Sequence, residues 1–395
     1  MNIIFYRYDS ICEPDYIEAF KKLGLEVVED LDGWDGNESS ISDKLGNLRN
    51  LVLEKWPLFI FSINYFPFIS LFCDRMNIIY LAESVDCPVL QIFHESIKSK
   101  VNKVFLFDKM QCLSIQKENP GGVFYMPLGA PCERVAELLG DSTSYAYDVS
   151  FVGSLYKEKN PFLNLKLSSE NKLHFDKLVN KQMEEKRSGL DYLDDNIQAD
   201  DIDIIKKSTR DFQSSTDLVM NMDKYIVLNE YLAPHIAYIE RVDILNSIAD
   251  CIGNGKLHIF TGSQADELSD GIINHGVAKS FSQMPHVYRN SKINLNITMR
   301  AIRTGLPQRI WDVMACRGFL ITNNQDEIKD FFIPGVHLET YDDKEELLEK
   351  IQYYLEHEDI REKIAQKGYE EVCEKHTVLM RTARMMKQVF FSKET

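Results

Sequence analysis

The chain has 395 residues, 44% of them hydrophobic and 27% charged, with 61 Asp and Glu against 45 Lys and Arg and a formal net charge of −16. That length accommodates about two or three domains, each with its own core. The acidic balance excludes nonspecific attachment to nucleic acid or anionic lipid, since neutralising phosphate needs a cationic excess.

The start of the chain, MNIIFYRYDS, has no basic n-region and does not read as a signal peptide. Candidate strands follow at NIIFYR (2–7), LEVVED (25–30), LFIFSI (58–63), NIIYLA (77–82), KVFLFD (103–108) and VFYMPL (123–128), with amphipathic segments such as PDYIEAFKKLG (14–24) between them. Such alternation means a parallel sheet covered on both faces. The most apolar tract, residues 56–72, approaches bilayer length, but Pro57, Ser62, Asn64 and Pro67 interrupt it. A buried strand followed by a short helix is expected there rather than a transmembrane segment.

A second series begins at DVSFVGS (148–154) and continues with KLHIFTGS (256–263), GVAKSF (276–281), KINLNIT (292–298), GFLIT (318–322) and HLETY (337–341). The helical segment 236–252 places Ile236, Ile239, Val242, Leu245, Ile248 and Ile252 on one stripe. The expected organisation is therefore two doubly wound α/β halves. The first spans 1–135 and the second 146–376. Residues 156–235, polar and helical in pattern, form an insertion in the second half, and 377–395 carry a last helix. The eight cysteines, at 12, 73, 87, 112, 132, 251, 316 and 373, form no CxxC pair and no zinc spacing. Scattered single cysteines fit buried thiols in a reducing compartment, and the protein is expected to be cytoplasmic.

Residues 275–320 invert the charge of the chain: Lys279, Arg289, Lys292, Arg300, Arg303, Arg309 and Arg317 stand against one acid, Asp312. A basic rim at strand ends suits a diphosphate, although most such runs are solvated helix faces. Gly153–Ser154 and Gly262–Ser263 each follow a strand directly, where backbone N–H groups can approach a phosphate. There is no GxGxxG and no Walker A motif, which weakens dinucleotide hydride transfer and P-loop phosphoryl transfer. Thr304–Gly305–Leu306–Pro307 reads as a turn into a helix over 308–316. Arg309 lies in the first turn of that helix, where the dipole already favours an anion. Asp312, one turn on, can accept two hydrogen bonds from a vicinal diol such as a ribose. A cation for a diphosphate and a carboxylate for a ribose form the minimal set for a sugar nucleotide. The alternative is a surface ion pair, worth little.

Taken together, YRYDSICEPD (6–15), FSINYFP (61–67), SVDCP (84–88), MPLG (126–129), DVSFVGSLY (148–156) and LPQRIWDVMACRGFLIT (306–322) resemble the GT-B glycosyltransferases. The particular likeness is to the bacterial CgeB-like (spore maturation protein-like) group with a group-1 type C-terminal domain. The resemblance implies two Rossmann-like domains facing a cleft. It also implies metal-independent transfer of a sugar from a nucleotide donor, with the donor on the C-terminal domain and the acceptor on the N-terminal one. In group-1 enzymes a Glu of an E-A-M-A-C-G run holds the donor ribose. The matching run here is D-V-M-A-C-R-G, which gives that role to Asp312. A second Glu eight positions earlier is replaced by Thr304. Arg309 matches the Arg of an R-x-F-E pattern, with Trp311 in place of Phe. The expected donor contacts are Gly153, Ser154, Gly262, Arg300, Arg303, Thr304, Gly305, Arg309 and Asp312. No cofactor is expected, and a UDP-sugar is the donor of first choice.

Asp201 and Asp203 have DxD spacing, yet they lie in a polar helical stretch with Asp191, Asp194, Asp195 and Asp200 and read as a solvated face rather than a metal site. For a general base, Asp9 after the first strand and Asp86 after the fourth are the candidates, with Glu13 and His94 behind them. Turn capping and support of the backbone before Pro88 are the structural alternatives. The acceptor expected from the resemblance is a glycan, a lipid-linked sugar, a protein or a small molecule. The insertion could serve contact with a partner or a second copy. Two other readings share this plan: a sugar-nucleotide epimerase, and a non-catalytic nucleotide-sugar-binding subunit.

Overall fold

Parallel strands buried on both faces are written as near-continuous apolar runs, and most of the inner strands among the twelve seen in the described residues are of this kind. The computed structural model describes residues 1–31, 39–140, 144–186, 188–213 and 217–391. Of the expected segments, 141–143 of the join, 187 and 214–216 of the insertion and 392–395 of the terminus lie outside them. The chain divides into two units, one of Met1–Arg134, Asp217–Met220 and Glu374–Thr395, the other of Val135–Thr216 and Asn221–Cys373.

In the first unit, β1 (Asn2–Tyr6), β2 (Glu26–Asp30), β3 (Phe59–Ile63), β4 (Ile79–Ser84), β5 (Asn102–Leu106) and β6 (Val123–Tyr125) form one parallel sheet in the order β2-β1-β3-β4-β5-β6. Ile3, Phe5, Phe59, Phe61, Ile63, Leu81 and Phe105 share a core with Tyr16 and Phe20 of the Glu13–Lys22 helix and with Val378 and Met385 of the Val378–Phe390 helix. The Thr377 side chain caps that last helix by accepting from Met380 N at 3.2 Å. Asp217–Met220 add a short antiparallel contact to this unit. Glu95 N donates to Asp217 O and Val219 N to Phe93 O, each at 2.8 Å. The apolar tract 56–72 resolves into β3 and the start of the Pro67–Met76 helix. Among the described residues no helix is long and apolar enough to cross a membrane.

In the second unit, β7 (Tyr147–Val152), β8 (Leu257–Phe260), β9 (Ile273–Asn274), β10 (Ser291–Asn296), β11 (Leu320–Asn323) and β12 (Glu339–Tyr341) are also all parallel, in the order β12-β11-β10-β7-β8-β9. Val149, Phe151, Leu257, Ile259, Ile293, Leu295 and Ile321 form the core with Leu245, Ile248 and Ile252 of the Ala233–Ile252 helix. Two parallel α/β units in tandem are what the alternation of strands and helices predicts.

One expected strand is corrected. GVAKSF (276–281) is not extended: the edge strand is Ile273–Asn274, and Gly276 at φ +73 turns the chain, leaving Val277 70% exposed. An apolar pair at a sheet edge lacks the second neighbour that would fix it. The polar segment after β7 folds as helices Ser169–Glu184, Asp191–Asn196 and Ala199–Ser208. Six cysteines are free thiols, while Cys132 and Cys373 are disulfide-bonded, against the expectation of thiols throughout.

Candidate functional site

In a doubly wound sheet, ligands bind beyond the carboxyl ends of the strands where the winding reverses. In the second unit the chain runs β7, β8, β9 to one edge and returns at β10 beside β7, so the reversal lies between β7 and β10. Arg241 of the Ala233–Ile252 helix, 5% exposed, spans this point. Its guanidinium donates to Ser154 O just past β7 and, at 2.6 Å, to Ile297 O just past β10. It also lies over the rings of Phe151 and Tyr156, at 5.5 and 4.6 Å. Burial pulls the Arg241 pKa down, and nearby Arg309 adds to that pull.

Arg309 reaches the same turn from the opening of the Gln308–Ala315 helix, whose N-cap is Pro307. It packs on the bare backbone of Gly153: a Cβ there would stand 2.9 Å from Arg309 Nη1. Arg309 Nε is buried and meets no hydrogen-bond partner among the described residues. The buried Tyr288 hydroxyl is pushed up to about 12, mainly by desolvation, with Arg309 pulling it down and Asp312 pushing it up. Tyr288 thus senses both charged groups of the helix. Asp312 is half-buried and accepts from Gln308 Nε2 at 2.8 Å, which orients its carboxylate along the helix. A guanidinium at a helix N-terminus, beside a glycine turn at the reversal point, can hold a diphosphate. A fixed carboxylate one turn further can accept from a diol.

Ser154 and Gly262 are placed on the same rim. Ser154 Oγ donates to Glu158 Oε1 and accepts from Tyr156 N, both at 2.7 Å. Gly262 is exposed, and a Cβ there would meet Val277 Cγ2 at 2.8 Å. The neighbouring Ser263 hydroxyl accepts from Leu155 N at 2.8 Å, tying the two Gly-Ser turns together.

Other members of the basic run turn elsewhere. Arg300 donates to Glu240 Oε1 at 2.6 Å and to the backbone carbonyl of Glu185 at 2.9 Å. Arg303 pairs with Asp194 at 3.2 Å, and Lys292 with Asp148 at 2.6 Å. Three of the seven cations of the expected basic rim are therefore matched by acids more than 50 positions away in the chain, which a local reading of charge does not see. Thr304 Oγ1 donates to Glu327 Oε1 at 2.7 Å, and Gly305 is buried in the turn before the helix.

In the first unit the winding reverses between β1 and β3. Asn64, just past β3 at φ 59, closes this point: its Nδ2 donates to the Tyr8 hydroxyl at 2.8 Å and to Asp86 Oδ2 at 2.7 Å. Asp86 is exposed and held by that bond, and Asp9 is exposed at φ 72 in the loop after β1. The weaker candidates are occupied. Glu13 is fully buried, accepting from Arg7 at 3.0 Å and from Tyr8 N at 2.8 Å. His94 Nδ1 caps a short helix through Ser96 N at 3.0 Å. Asp201 closes a capping box with Gln198 and bonds His174 at 2.7 Å, while Asp203 pairs with Lys207 at 3.3 Å. Local signals for Arg241 and Asn64 existed: a cation inside an apolar helix stripe, and an Asn directly after a buried strand.

Residues 247–387 match the model of a family described as glycosyl transferase-like. The match takes in β8 to β12 and the Gln308–Ala315 helix, just over a third of the chain. No curated protein matches the sequence. By structure the chain is similar to the sucrose-phosphate synthase of Thermosynechococcus elongatus, at 11% identity and TM-score 0.56, with 99% of each chain covered. It is similar also to a glycosyltransferase from Rickettsia africae, at 11% identity and TM-score 0.50, with 99% of each covered. A third similar structure is HepE of Anabaena in complex with UDP and glucose, at 10% identity and TM-score 0.50, covering 98% of this chain and 99% of that one. At such identities the likeness is one of fold. The fold is GT-B.

Proposed function

We propose that the protein is a glycosyltransferase of the hexosyl type, within the CgeB-like group, that moves a sugar from a UDP-sugar to a glycan, lipid-linked or protein acceptor without a metal ion. The observation that carries this reading is Arg309 seated against Gly153, with Asp312 one turn further on the same helix. In the proposed donor complex the N-terminus of that helix, the Gly153–Ser154 turn and Arg309 bind the diphosphate, and Asp312 accepts from the ribose hydroxyls. As the anomeric C–O bond breaks, negative charge grows on the departing diphosphate. Arg309 and the oriented backbone N–H groups stabilise it where other enzymes use a cation. The family match over 247–387 supports glycosyl transfer, and the UDP held by HepE supports the choice of donor. On the first unit Asp86, oriented by Asn64, is the proposed base for the acceptor hydroxyl, with Asp9 beside it in role.

The test is thermal denaturation in EDTA with UDP and UDP-glucose, on the wild type, Arg309→Ala and Asp312→Ala. A ligand at about 100 times its Kd stabilises by about 2.7 kcal/mol, enough to raise the melting temperature by a few degrees. The expected result is a shift in the wild type and none in either variant. Equal shifts in all three would remove the site. UDP release that EDTA abolishes and manganese restores would overturn metal independence. Isomerised donor sugar without transfer would make the protein an epimerase.

A further inference from the structure

A cavity opens in the second unit, beyond the carboxyl ends of β10, β11 and β12. Its volume is 410 Å³, within the range of small-molecule sites, about 300–1,000 Å³. Neither Arg309 nor Asp312 lines it. One wall is the strand-end rim, with Asn323, Asn324 and Tyr341. The other is the end of the Ser169–Glu184 helix and the residues after it. Arg300 fastens the two walls: it donates to Glu240 on the rim side and to the carbonyls of Met183 and Glu185 on the other. A cation at the C-terminal end of a helix meets unsatisfied carbonyls and the negative end of the dipole.

We propose that this cavity is a binding site for a neutral saccharide unit, separate from the diphosphate seat. Three observations point to that chemistry. Tyr341 lines the cavity, the residue is 5% exposed, and its buried hydroxyl meets no hydrogen-bond partner among the described residues. A buried hydroxyl without a partner is costly, and a ligand hydroxyl would supply one. Next, each cation of the lining is matched by an acid: Arg300 with Glu240, Lys186 with Asp343, and Lys344 with Asp243. Asp342 and Glu345 add further negative charge, so an anion such as a diphosphate is disfavoured. Finally, the carboxylates of Glu240, Asp343 and Asp243 are oriented by those cations, and Asn324 Nδ2 holds Asp342 at 3.0 Å. Fixed carboxylates and amides are suited to the paired donors and acceptors of vicinal hydroxyls.

The test is saturation-transfer NMR on the full chain with the methyl glycosides of glucose, galactose, mannose and N-acetylglucosamine, on the wild type and Tyr341→Phe. At least one glycoside binds the wild type, and Tyr341→Phe weakens it about five- to tenfold. The melting temperature of the variant stays level or rises, because only an unpartnered hydroxyl is lost. Binding of no glycoside, undiminished binding in Tyr341→Phe, or binding of putrescine in place of every glycoside would each overturn the proposal. A parallel titration with UDP reports on the diphosphate seat alone, so its failure would sink the donor reading and not this one.

Discussion

Gly153 and Arg309 fit together because Gly153 carries no side chain: a Cβ there would lie 2.9 Å from Nη1 and 3.4 Å from Cζ of the guanidinium. The clash is with the far end of a flexible side chain, which can move, but at φ +154 the Gly153 backbone is one that other residues rarely adopt, so a side chain there also strains the turn. Gly153→Ala is expected to lower UDP affinity about tenfold, equivalent to about 1.4 kcal/mol, and to cost about 1–3 kcal/mol of folding stability through backbone strain. Calorimetric titration with UDP checks this. Unchanged affinity would show that the position of Arg309 does not matter to the ligand.

Arg241 holds the ends of β7 and β10 together through the carbonyls of Ser154 and Ile297. Arg241→Met keeps much of the apolar stem and removes both donors, leaving buried carbonyls bare. A loss of about 2–4 kcal/mol is expected, read as a lower urea midpoint. A midpoint equal to that of the wild type would mean that the carbonyls find other partners and that the turn does not depend on Arg241.

Glu83, fully buried in β4, is pushed up to about 8 by desolvation, against the pull of Tyr16 and Arg381. Between the ordinary carboxylate pKa and about 8, the folded protein holds a proton that the unfolded chain has released. The sign follows: stability falls as pH rises through that window, by at most about 1.4 kcal/mol per unit, and levels off above it. Urea unfolding of the wild type from pH 5 to 8 should show this decline, and Glu83→Gln should flatten it. Identical pH profiles for the two proteins would contradict the assignment.

Much of the architecture was legible because burial is written locally. Parallel strands covered on both faces must be apolar throughout, so β1, β3, β7 and β10 stand out as runs. Helices between them carry a periodic stripe, as at 236–252. Arg309 and Asp312 were legible for a similar reason, since helical spacing alone puts i and i+3 on one face. The edge strand was misread because an edge lacks the neighbours that make apolarity decisive. The extended run ends at Asn274, before the segment that sequence favoured.

Sequence by itself determined the two-unit α/β plan and the presence of a cation and an acceptor on one helical turn. Tertiary structure alone decided which charges are used up. Arg300, Arg303 and Lys292 look alike in a local count, but each meets an acid brought from far along the chain. Arg309 instead packs against Gly153 with a buried Nε that meets no partner among the described residues. The same holds for Arg241 bridging two strand ends, Asn64 joining Tyr8 to Asp86, and the unpartnered hydroxyl of Tyr341. Periodicity reports which face a residue takes. Whether its polar atoms are satisfied depends on residues that only folding brings within hydrogen-bond distance.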